Sequence, residues 1–244
     1  MSFAAARVIE RVDWSEGLFS LTLDAEVEPY APGQFFNLAV AIEGVRVKRA
    51  YSVVSTKDRP PEFYIVAIPG GKVSPVLDRL RVGDSLELDP RPHGFFVATE
   101  VPEARDLWMV ASGTGLGPYI AMLREGSVFL RHEAIVLVHS VRTSAHLGYR
   151  RELEDIADAR PAFHYLPTLT REHGATHLHG RVDAIVANGE LERAAGLPID
   201  AAHSHVMVCG NPAMLDSVKK ALEERGLKKH RRRDPGQLST ETYW

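Results

Sequence analysis

The segment Arg49-Ala50-Tyr51-Ser52 combines a cation, an aromatic ring and a hydroxyl at the end of a predicted strand. Strand alternation points Arg49 and Tyr51 to one face and Ser52 to the other. An arginine fork suits a pyrophosphate, an aromatic ring can stack on a planar heterocycle, and a hydroxyl can bond a ring nitrogen or oxygen. Four such residues also fit an ordinary strand with a surface arginine, so the nucleotide interpretation depends on the other segments.

A second segment, Gly70-Gly71-Lys72-Val73-Ser74-Pro75, passes from a strand through a glycine-rich turn into a short helix predicted over 74–80. Ser74 is predicted as the N-cap of this helix and Pro75 as its first residue. Main-chain N–H groups at a helix start favour a phosphate. A capped helix after a tight turn needs no ligand, and both interpretations stay open on this segment alone.

A third segment reads Ala111-Ser112-Gly113-Thr114-Gly115-Leu116-Gly117-Pro118 and joins a predicted strand to a predicted helix. Its glycines allow a phosphate or a flat ring to approach the backbone closely, at the crevice outside the strand ends. They are spaced by two, and Pro118 stands where the six-residue dinucleotide fingerprint requires its third glycine. A plain Rossmann dehydrogenase is therefore disfavoured.

The elements that must position these segments fall into two halves of different periodicity. Short strands between turn residues fill the chain to about residue 100 and predict a six-stranded antiparallel β-barrel, with strands at 6–12, 18–23, 34–42, 45–54, 62–68 and 85–88. Beyond residue 105, strands alternate with helices, which predicts a parallel sheet with both faces covered. These strands are at 106–111, 134–139, 163–169 and 205–209, and the helices are near 118–125, 149–159, 182–188 and 212–225. We expect the junction within 94–105, a barrel domain at 1–100 and an α/β nucleotide-binding domain at 101–244.

Composition narrows the function classes. The 244 residues are 45% hydrophobic and 25% charged, and the formal net charge of −3 gives no electropositive field for nucleic acid. The single cysteine, Cys209, excludes an internal disulfide and a four-cysteine cluster or zinc ribbon held by this chain alone. No apolar run approaches the roughly 20 residues that cross a bilayer, and the first residues lack the apolar stretch of a secretory peptide. We expect a cytoplasmic, monomeric protein without a membrane partner.

Five motifs in fixed order, spread over nearly the whole chain, resemble the ferredoxin–NADP⁺ reductase family, most closely its bacterial ferredoxin/flavodoxin–NADP⁺ reductases. They are Arg49 to Ser52, Gly71 to Ser74, Gly113 to Pro118, Cys209-Gly210-Asn211-Pro212 and an aromatic C-terminus. The resemblance implies non-covalent FAD held by the barrel, with its isoalloxazine at the domain boundary. It also implies NADP(H) as co-substrate and ferredoxin or flavodoxin as partner.

The resemblance further implies roles for individual residues. Arg49 would face the pyrophosphate, Tyr51 would stack on the flavin, and Ser52 would bond near flavin N5 as a catalytic residue. The other residues assigned to FAD are Ala50, Tyr64, Ile65, Val66, Ala67, Lys72, Val73, Ser74, Thr114, Tyr243 and Trp244. In bacterial members the tail folds over FAD, so Tyr243 or Trp244 would lie against the flavin or the adenine.

Selecting NADPH over NADH requires cationic forks for the 2′-phosphate. Arg142 and Arg171 follow predicted strands, and Arg181 opens the next helix, so all three should project from the carboxyl edge of the sheet, where open α/β sheets bind ligands. Val141 and Thr170 precede two of them and could offer backbone contacts.

The Cys209 segment is predicted to end a strand and start a helix, with Asn211 as N-cap. In the family this cysteine lies near the nicotinamide, which assigns Cys209 as catalytic. Asn211, Pro212 and Ala213 would contact the cofactor, and Asp216 could accept from a ribose hydroxyl. A small buried thiol without a covalent role remains the simpler interpretation of Cys209.

Two further sets of residues invite a different interpretation. The basic run Lys228-Lys229-His230-Arg231-Arg232-Arg233 is either a solvated helix end or a docking patch for an acidic ferredoxin or flavodoxin. His173, His177 and His179 lie in a turn-rich segment without a carboxylate or thiol at ligand spacing, so no metal is expected.

The leading hypothesis is a flavoprotein oxidoreductase that passes a hydride from NADPH to flavin N5 and then single electrons to ferredoxin or flavodoxin. One alternative is a broader NAD(P)H:flavin or quinone reductase on the same scaffold. Another is a non-catalytic FAD-binding electron-transfer subunit. Replacing Arg142, Arg171 and Arg181 with alanine should weaken the binding of NADPH far more than that of NADH. Removing Tyr243 and Trp244 should alter flavin binding or the competition between the nicotinamide and the tail.

Overall fold

The computed structural model describes residues 3–174, 176 and 178–243. It divides into two compact units, one formed by the chain up to Val97 together with Gly117–Glu125, the other by Ala98–Leu116 and the chain from Gly126 onward. Among the described residues, no helix is both long enough and apolar enough to cross a membrane. The predicted residues His177 and Trp244 lie outside the described part of the chain.

The first unit is built on a six-stranded antiparallel sheet. Its strands are β1 (Ala4–Ser15), β2 (Leu18–Asp24), β3 (Phe35–Ile42), β4 (Val45–Ser52), β5 (Glu62–Val66) and β6 (Ser85–Leu88). They pair in the order β4-β3-β6-β1-β2-β5, and a bridge between Val53 and Phe63 joins the end of β4 to β5. The sheet therefore closes on itself, which confirms the predicted antiparallel barrel.

Alternation along these strands places the apolar side chains inside the barrel. Phe19, Leu21 and Leu23 on β2 are fully buried, as are Phe36 and Leu38 on β3. Helix α2 (Gly117–Glu125) belongs to the same unit, and its Arg124 forms an ion pair of 2.5 Å with Glu62 on β5.

The short helix α1 (Ser74–Leu77) starts differently from its prediction. Val73 is its N-cap, and no side chain caps it. The prediction of Ser74 as N-cap is wrong, because the Ser74 hydroxyl instead accepts a hydrogen bond of 3.0 Å from the Ile68 main-chain N–H. Ser74 thus ties α1 to the end of β5 across the glycine-rich turn. Pro75 stands within the first helical positions, as predicted.

The second unit is a parallel sheet with helices, which confirms the fold predicted for the second half of the chain. Its strands are β7 (Asp106–Ser112), β8 (Ala134–Val141), β9 (Phe163–Leu169), β10 (Leu178–His179), β11 (Ser204–Gly210) and β12 (Leu238–Thr242), in the sheet order β10-β9-β8-β7-β11-β12. Its helices are α3 (Val128–Arg131), α4 (Arg150–Ala159), α5 (Val182–Ala187), α6 (Glu190–Ala195) and α7 (Pro212–Glu223). Strands β7, β8 and β11 are almost wholly buried, as strands covered on both faces should be.

The sequence analysis did not predict four elements of the second unit, which are α3, α6, β10 and β12. Leu238–Thr242 pairs in parallel with β11, so that Leu238 lies opposite Val206 and Glu241 opposite Cys209. Its signal is weak because five residues with one apolar side chain have no clear period, and their partner strand lies about thirty residues earlier. The resemblance implies a tail that folds over FAD, and Leu238–Thr242 within this tail is the edge strand of the second sheet.

Candidate functional site

The end of β4 presents the first predicted group of ligand-binding side chains. Arg49 is exposed, and its Nη1 donates to the Lys48 carbonyl at 2.8 Å. None of the described carboxylates lies within ion-pair distance of the Arg49 guanidinium, so its charge is available to an anion. Tyr51 is half-buried against the barrel core, and this burial raises the pKa of its hydroxyl to about 12. Ser52 is buried, while Ala50 beside it is exposed.

The turn from β5 into α1 presents the second group. Tyr64 and Ile65 are buried on β5, and the chain continues through the half-buried Val66 and Ala67 to Gly70, whose φ of 75° favours glycine. Beyond Gly71, the main-chain N–H groups of Lys72, Val73 and Ser74 donate to no acceptor in the part of the chain that the structure describes.

Each of these two groups offers charge or hydrogen-bond donors that suit a phosphate. Successive unpaired N–H groups form an anion-binding concavity, and the exposed Lys72 adds a cation beside them. The Ser74 hydroxyl accepts from Ile68, so its own hydrogen is still available for donation. The residues present in the first unit therefore fit a diphosphate-containing cofactor.

In the second unit, two of the three predicted arginines lie side by side. The main chain continues the β8–β9 pairing past both strand ends, since Thr170 N–H donates to the Val141 carbonyl at 3.0 Å and Arg171 N–H to the Arg142 carbonyl at 2.9 Å. Both arginines are exposed, and neither guanidinium is within ion-pair distance of a carboxylate from the described residues. Two uncompensated cations therefore stand at the carboxyl edge of the sheet.

Arg181 differs from these two in its partner. It follows the next strand, since the N–H of Gly180 donates to the Leu169 carbonyl at 2.9 Å, and it is the N-cap of α5. Its guanidinium holds Asp183 through Nε at 3.1 Å and Nη2 at 3.4 Å. Arg181 lies just after the end of β10, as expected, but Asp183 already neutralises part of its charge.

The glycine-rich turn after β7 packs against the end of β11. Residues Gly113–Leu116 form one 3₁₀ turn in which Thr114 is buried. A Cβ on Gly115 would collide with the Cys209 carbonyl, and one on Gly210 would collide with Ser112. His139 on β8 is buried, which lowers its pKa to about 4, and its Nε2 lies 3.2 Å from the Gly113 carbonyl. Above Gly113 there is open space, so a ligand could approach the backbone there.

Cys209 lies fully buried near the end of β11, with two groups of the tail beside it. Burial, and next the nearby carboxylate of Glu241, raise the pKa of the thiol, and a hydrogen bond with the Tyr243 side chain opposes that rise. Tyr243 N–H also donates to the Gly210 carbonyl at 3.0 Å. The tail therefore brings Tyr243 to the thiol, a contact that the sequence did not indicate.

Glu241 is the site residue that the sequence analysis missed. Its Oε2 is buried and makes no hydrogen bond with any group in the described chain, and burial raises its pKa to about 8. The pairing of Glu241 with Cys209 depends on the register of β12. Only recognition of 238–242 as a parallel strand could have revealed it.

The start of α7 agrees with its prediction. The Asn211 side chain accepts from the N–H groups of Ala213 at 2.9 Å and Met214 at 3.3 Å, which makes it the N-cap before Pro212. Asp216 is exposed one turn further along the helix. No group of three or more histidine, cysteine or carboxylate side chains that could hold a metal ion occurs within the described ranges.

A pH-dependent stability is expected from Glu241. Its pKa in the folded protein is about 8, against an ordinary value of 4.5. Between these values the folded protein keeps a proton that the unfolded chain loses, so the free energy of unfolding should fall as pH rises, by at most about 1.4 kcal/mol per pH unit. Glu241→Gln should remove this slope in urea unfolding measured from about pH 5 to about pH 8.

Glu103→Gln is the matched control, because Glu103 is an exposed carboxylate of the same unit. It should leave the slope unchanged. The prediction is contradicted if the free energy of unfolding falls equally with pH in Glu241→Gln and in the wild-type protein. Glu241 would then be ionised in the folded protein over this pH range.

Comparison with known proteins gives matches over nearly the whole chain. Residues 6–97 match the family model of the oxidoreductase FAD-binding domain, and residues 109–220 match that of the oxidoreductase NAD-binding domain. The chain is 42% identical to a flavodoxin/ferredoxin–NADP reductase of Shigella flexneri and 41% identical to one of Escherichia coli, with 99% of each chain covered. A solved structure of a ferredoxin NADP⁺ reductase from Neisseria gonorrhoeae with bound FAD and NADP superposes with a TM-score of 0.94 at 26% identity, covering 99% of both chains.

Proposed function

Because the chain belongs to the flavodoxin/ferredoxin–NADP reductase family, we propose that it transfers electrons between NADPH and a flavodoxin or ferredoxin. It is a FAD-dependent oxidoreductase with a nicotinamide-nucleotide domain, as the matches to the FAD-binding and NAD-binding family models require. The observation that carries the choice of NADPH is the pair Arg142 and Arg171, two uncompensated cations on adjoining strand ends.

In the first unit, Arg49 and the N–H groups of residues 72–74 would hold the FAD diphosphate. Tyr51 would provide the stacking surface, and Ser52 and the β5 segment from Tyr64 to Ala67 would surround the ring system. Bound FAD would supply the conversion between two-electron hydride chemistry and single-electron chemistry. The chain's own contribution is to bind and orient the reactants. The assignment of Thr114, Tyr243 and Trp244 to FAD is part of the same proposal.

In the second unit, Arg142, Arg171 and, to a smaller extent, Arg181 would bind the 2′-phosphate of NADPH, with backbone contacts from Val141 and Thr170. The α7 start would contact the rest of the dinucleotide through Asn211, Pro212, Ala213 and Asp216. Cys209 would act near the nicotinamide as a neutral group, because burial keeps its thiol protonated at neutral pH.

The protein partner would bind through the basic loop, defined as residues 228–233. Lys228, Lys229, Arg231 and Arg233 are exposed, and a tight turn is closed by reciprocal main-chain hydrogen bonds of 3.0 Å between Arg231 and Asp234. Clustered exposed cations would steer an acidic ferredoxin or flavodoxin toward the reductase. We propose that the enzyme acts as a monomer in the cytoplasm.

Anaerobic addition of NADPH to the purified yellow holoprotein tests the proposal. Rapid loss of the flavin absorption band is expected, followed by its return when oxidised ferredoxin or flavodoxin is added. Transfer to the protein acceptor should slow as salt is raised, because screening shortens the Debye length to about 10 Å at 0.1 M.

The two alternatives predict different results. A broader flavin or quinone reductase would reduce free flavin or quinone at a rate that salt does not change. A non-catalytic FAD-binding subunit would stay yellow in NADPH. A colourless preparation that takes up no FAD would contradict all three functions.

A further inference from the structure

Glu172 joins the two loops that carry the exposed arginines of the second unit. Its carboxylate accepts the Ser144 main-chain N–H at 2.7 Å, and the Ser144 hydroxyl donates to both of its oxygens, at 2.9 and 3.0 Å. These hydrogen bonds lower the pKa of Glu172, so the carboxylate is ionised at neutral pH. We call this contact the Ser144–Glu172 clasp.

The clasp lies directly after the two cations in sequence. Ser144 is two residues beyond Arg142 and begins the 3₁₀ turn Ser144–His146, and Glu172 is the residue after Arg171. On the strand side, the same loops are joined by the main-chain bonds from Thr170 to Val141 and from Arg171 to Arg142. Each arginine therefore stands on a short loop that is tied to the other loop on both sides.

We propose that Glu172 is a positioning and specificity-determining residue, which holds Arg142 and Arg171 at the spacing that binds the 2′-phosphate of NADPH. This inference rests on the proposed function. Exposed arginine side chains lose conformational freedom when they bind an anion, and loops that are already fixed reduce this cost. A phosphate site built on two separate loops needs such a connection more than one built on a single helix.

A competing interpretation is that the Glu172 carboxylate merely occupies the place of the phosphate and must be displaced. The observed contacts favour positioning, because Glu172 accepts from Ser144 and is not within ion-pair distance of either arginine. Both cations thus remain available while the clasp is formed. The two interpretations predict opposite effects of removing the carboxylate.

Calorimetric titration of the FAD-loaded protein with adenosine 2′,5′-bisphosphate and with 5′-AMP measures the selectivity directly. Glu172→Ala should weaken binding of the bisphosphate about tenfold and leave 5′-AMP within about twofold, since only the former carries the 2′-phosphate. Glu172→Gln, whose amide oxygen still accepts from Ser144, should lose about threefold. Ser144→Ala combined with Glu172→Ala should weaken binding no more than Glu172→Ala alone, because both act through one contact.

Controls separate the inference from the proposed function and from misfolding. Glu103→Ala removes an exposed carboxylate of the same unit and should leave both affinities unchanged. If the wild-type protein itself does not prefer the bisphosphate, the proposed use of NADPH is wrong. If it does prefer it, and Glu172→Ala retains or increases that preference, the positioning role is wrong. Loss of affinity for both ligands alike would show a general structural role and would also overturn the inference.

Discussion

Replacing Arg142 and Arg171 together with alanine is expected to lower kcat/KM for NADPH about 100-fold while changing that for NADH less than about threefold. A charge-assisted hydrogen bond contributes about 1.5–3 kcal/mol, and each 1.4 kcal/mol is tenfold. Both side chains are exposed to solvent, which weakens their interaction with a phosphate. The expected loss of about 100-fold is therefore at the lower end of what two charge-assisted hydrogen bonds would give.

The third arginine should contribute less than either of these two. Its guanidinium already holds Asp183, so phosphate binding would have to share or replace that contact. Arg181→Ala should therefore lower kcat/KM for NADPH about threefold to tenfold. Asp183→Asn, which frees the Arg181 guanidinium, should strengthen NADPH binding, and it provides the complementary measurement.

Steady-state kinetics with both nicotinamide nucleotides would check these expectations. Arg150→Ala is the matched control, because this exposed arginine of α4 is paired with its helix neighbour Glu154 at 2.7 Å. Equal losses for NADPH and NADH in the double variant would show that the two arginines do not recognise the 2′-phosphate.

A second large effect is expected from Gly115→Ala. The new Cβ would lie 2.7 Å from the Cys209 carbonyl carbon and 2.8 Å from the Gly210 Cα, both of which are backbone atoms that cannot rotate away. Relieving this overlap must shift the glycine-rich turn away from the end of β11. We expect a loss of about 2–4 kcal/mol in the free energy of unfolding. Urea unfolding would measure it.

The same variant should expose the chain's single cysteine. Cys209 is fully buried at the end of β11, so its alkylation reports on that end of the strand. Gly115→Ala should increase the alkylation rate in native buffer, because the turn that covers the carbonyl of Cys209 is displaced.

Gly113→Ala provides the control within the same turn. A Cβ there meets no atom within 4 Å, and only the φ of 54° opposes the substitution, at a cost of about 1 kcal/mol. The alkylation rate of this variant should match that of the wild type. Similar stabilities of the two alanine variants would mean that the turn does not depend on close approach at Gly115.

Much of the architecture follows from local patterns. Alternating apolar residues in the first half indicate barrel strands, and the buried runs of the second half indicate parallel strands between helices. The predicted strand 163–169 coincides with β9, and Asn211 is the N-cap that its side-chain chemistry favours. Ser74 shows the limit of this reasoning, because its hydroxyl had two possible partners and the glycine-rich turn brought the Ile68 N–H within reach.

Local sequence patterns are enough to predict the six barrel strands and the four strands β7, β8, β9 and β11 of the second sheet. Through them they also predict which edge of that sheet receives Arg142, Arg171 and Arg181. Parallel strands end at a common edge, so chain order is enough for that conclusion. The folded chain is needed to see that Arg181 is paired with Asp183 while Arg142 and Arg171 have no carboxylate partner among the described residues. It is also needed to see that Glu172 reaches Ser144 and that Glu241 lies opposite Cys209. These three contacts depend on the conformation of a loop or on the register of a strand that is distant in sequence. Local sequence propensities do not specify either of them.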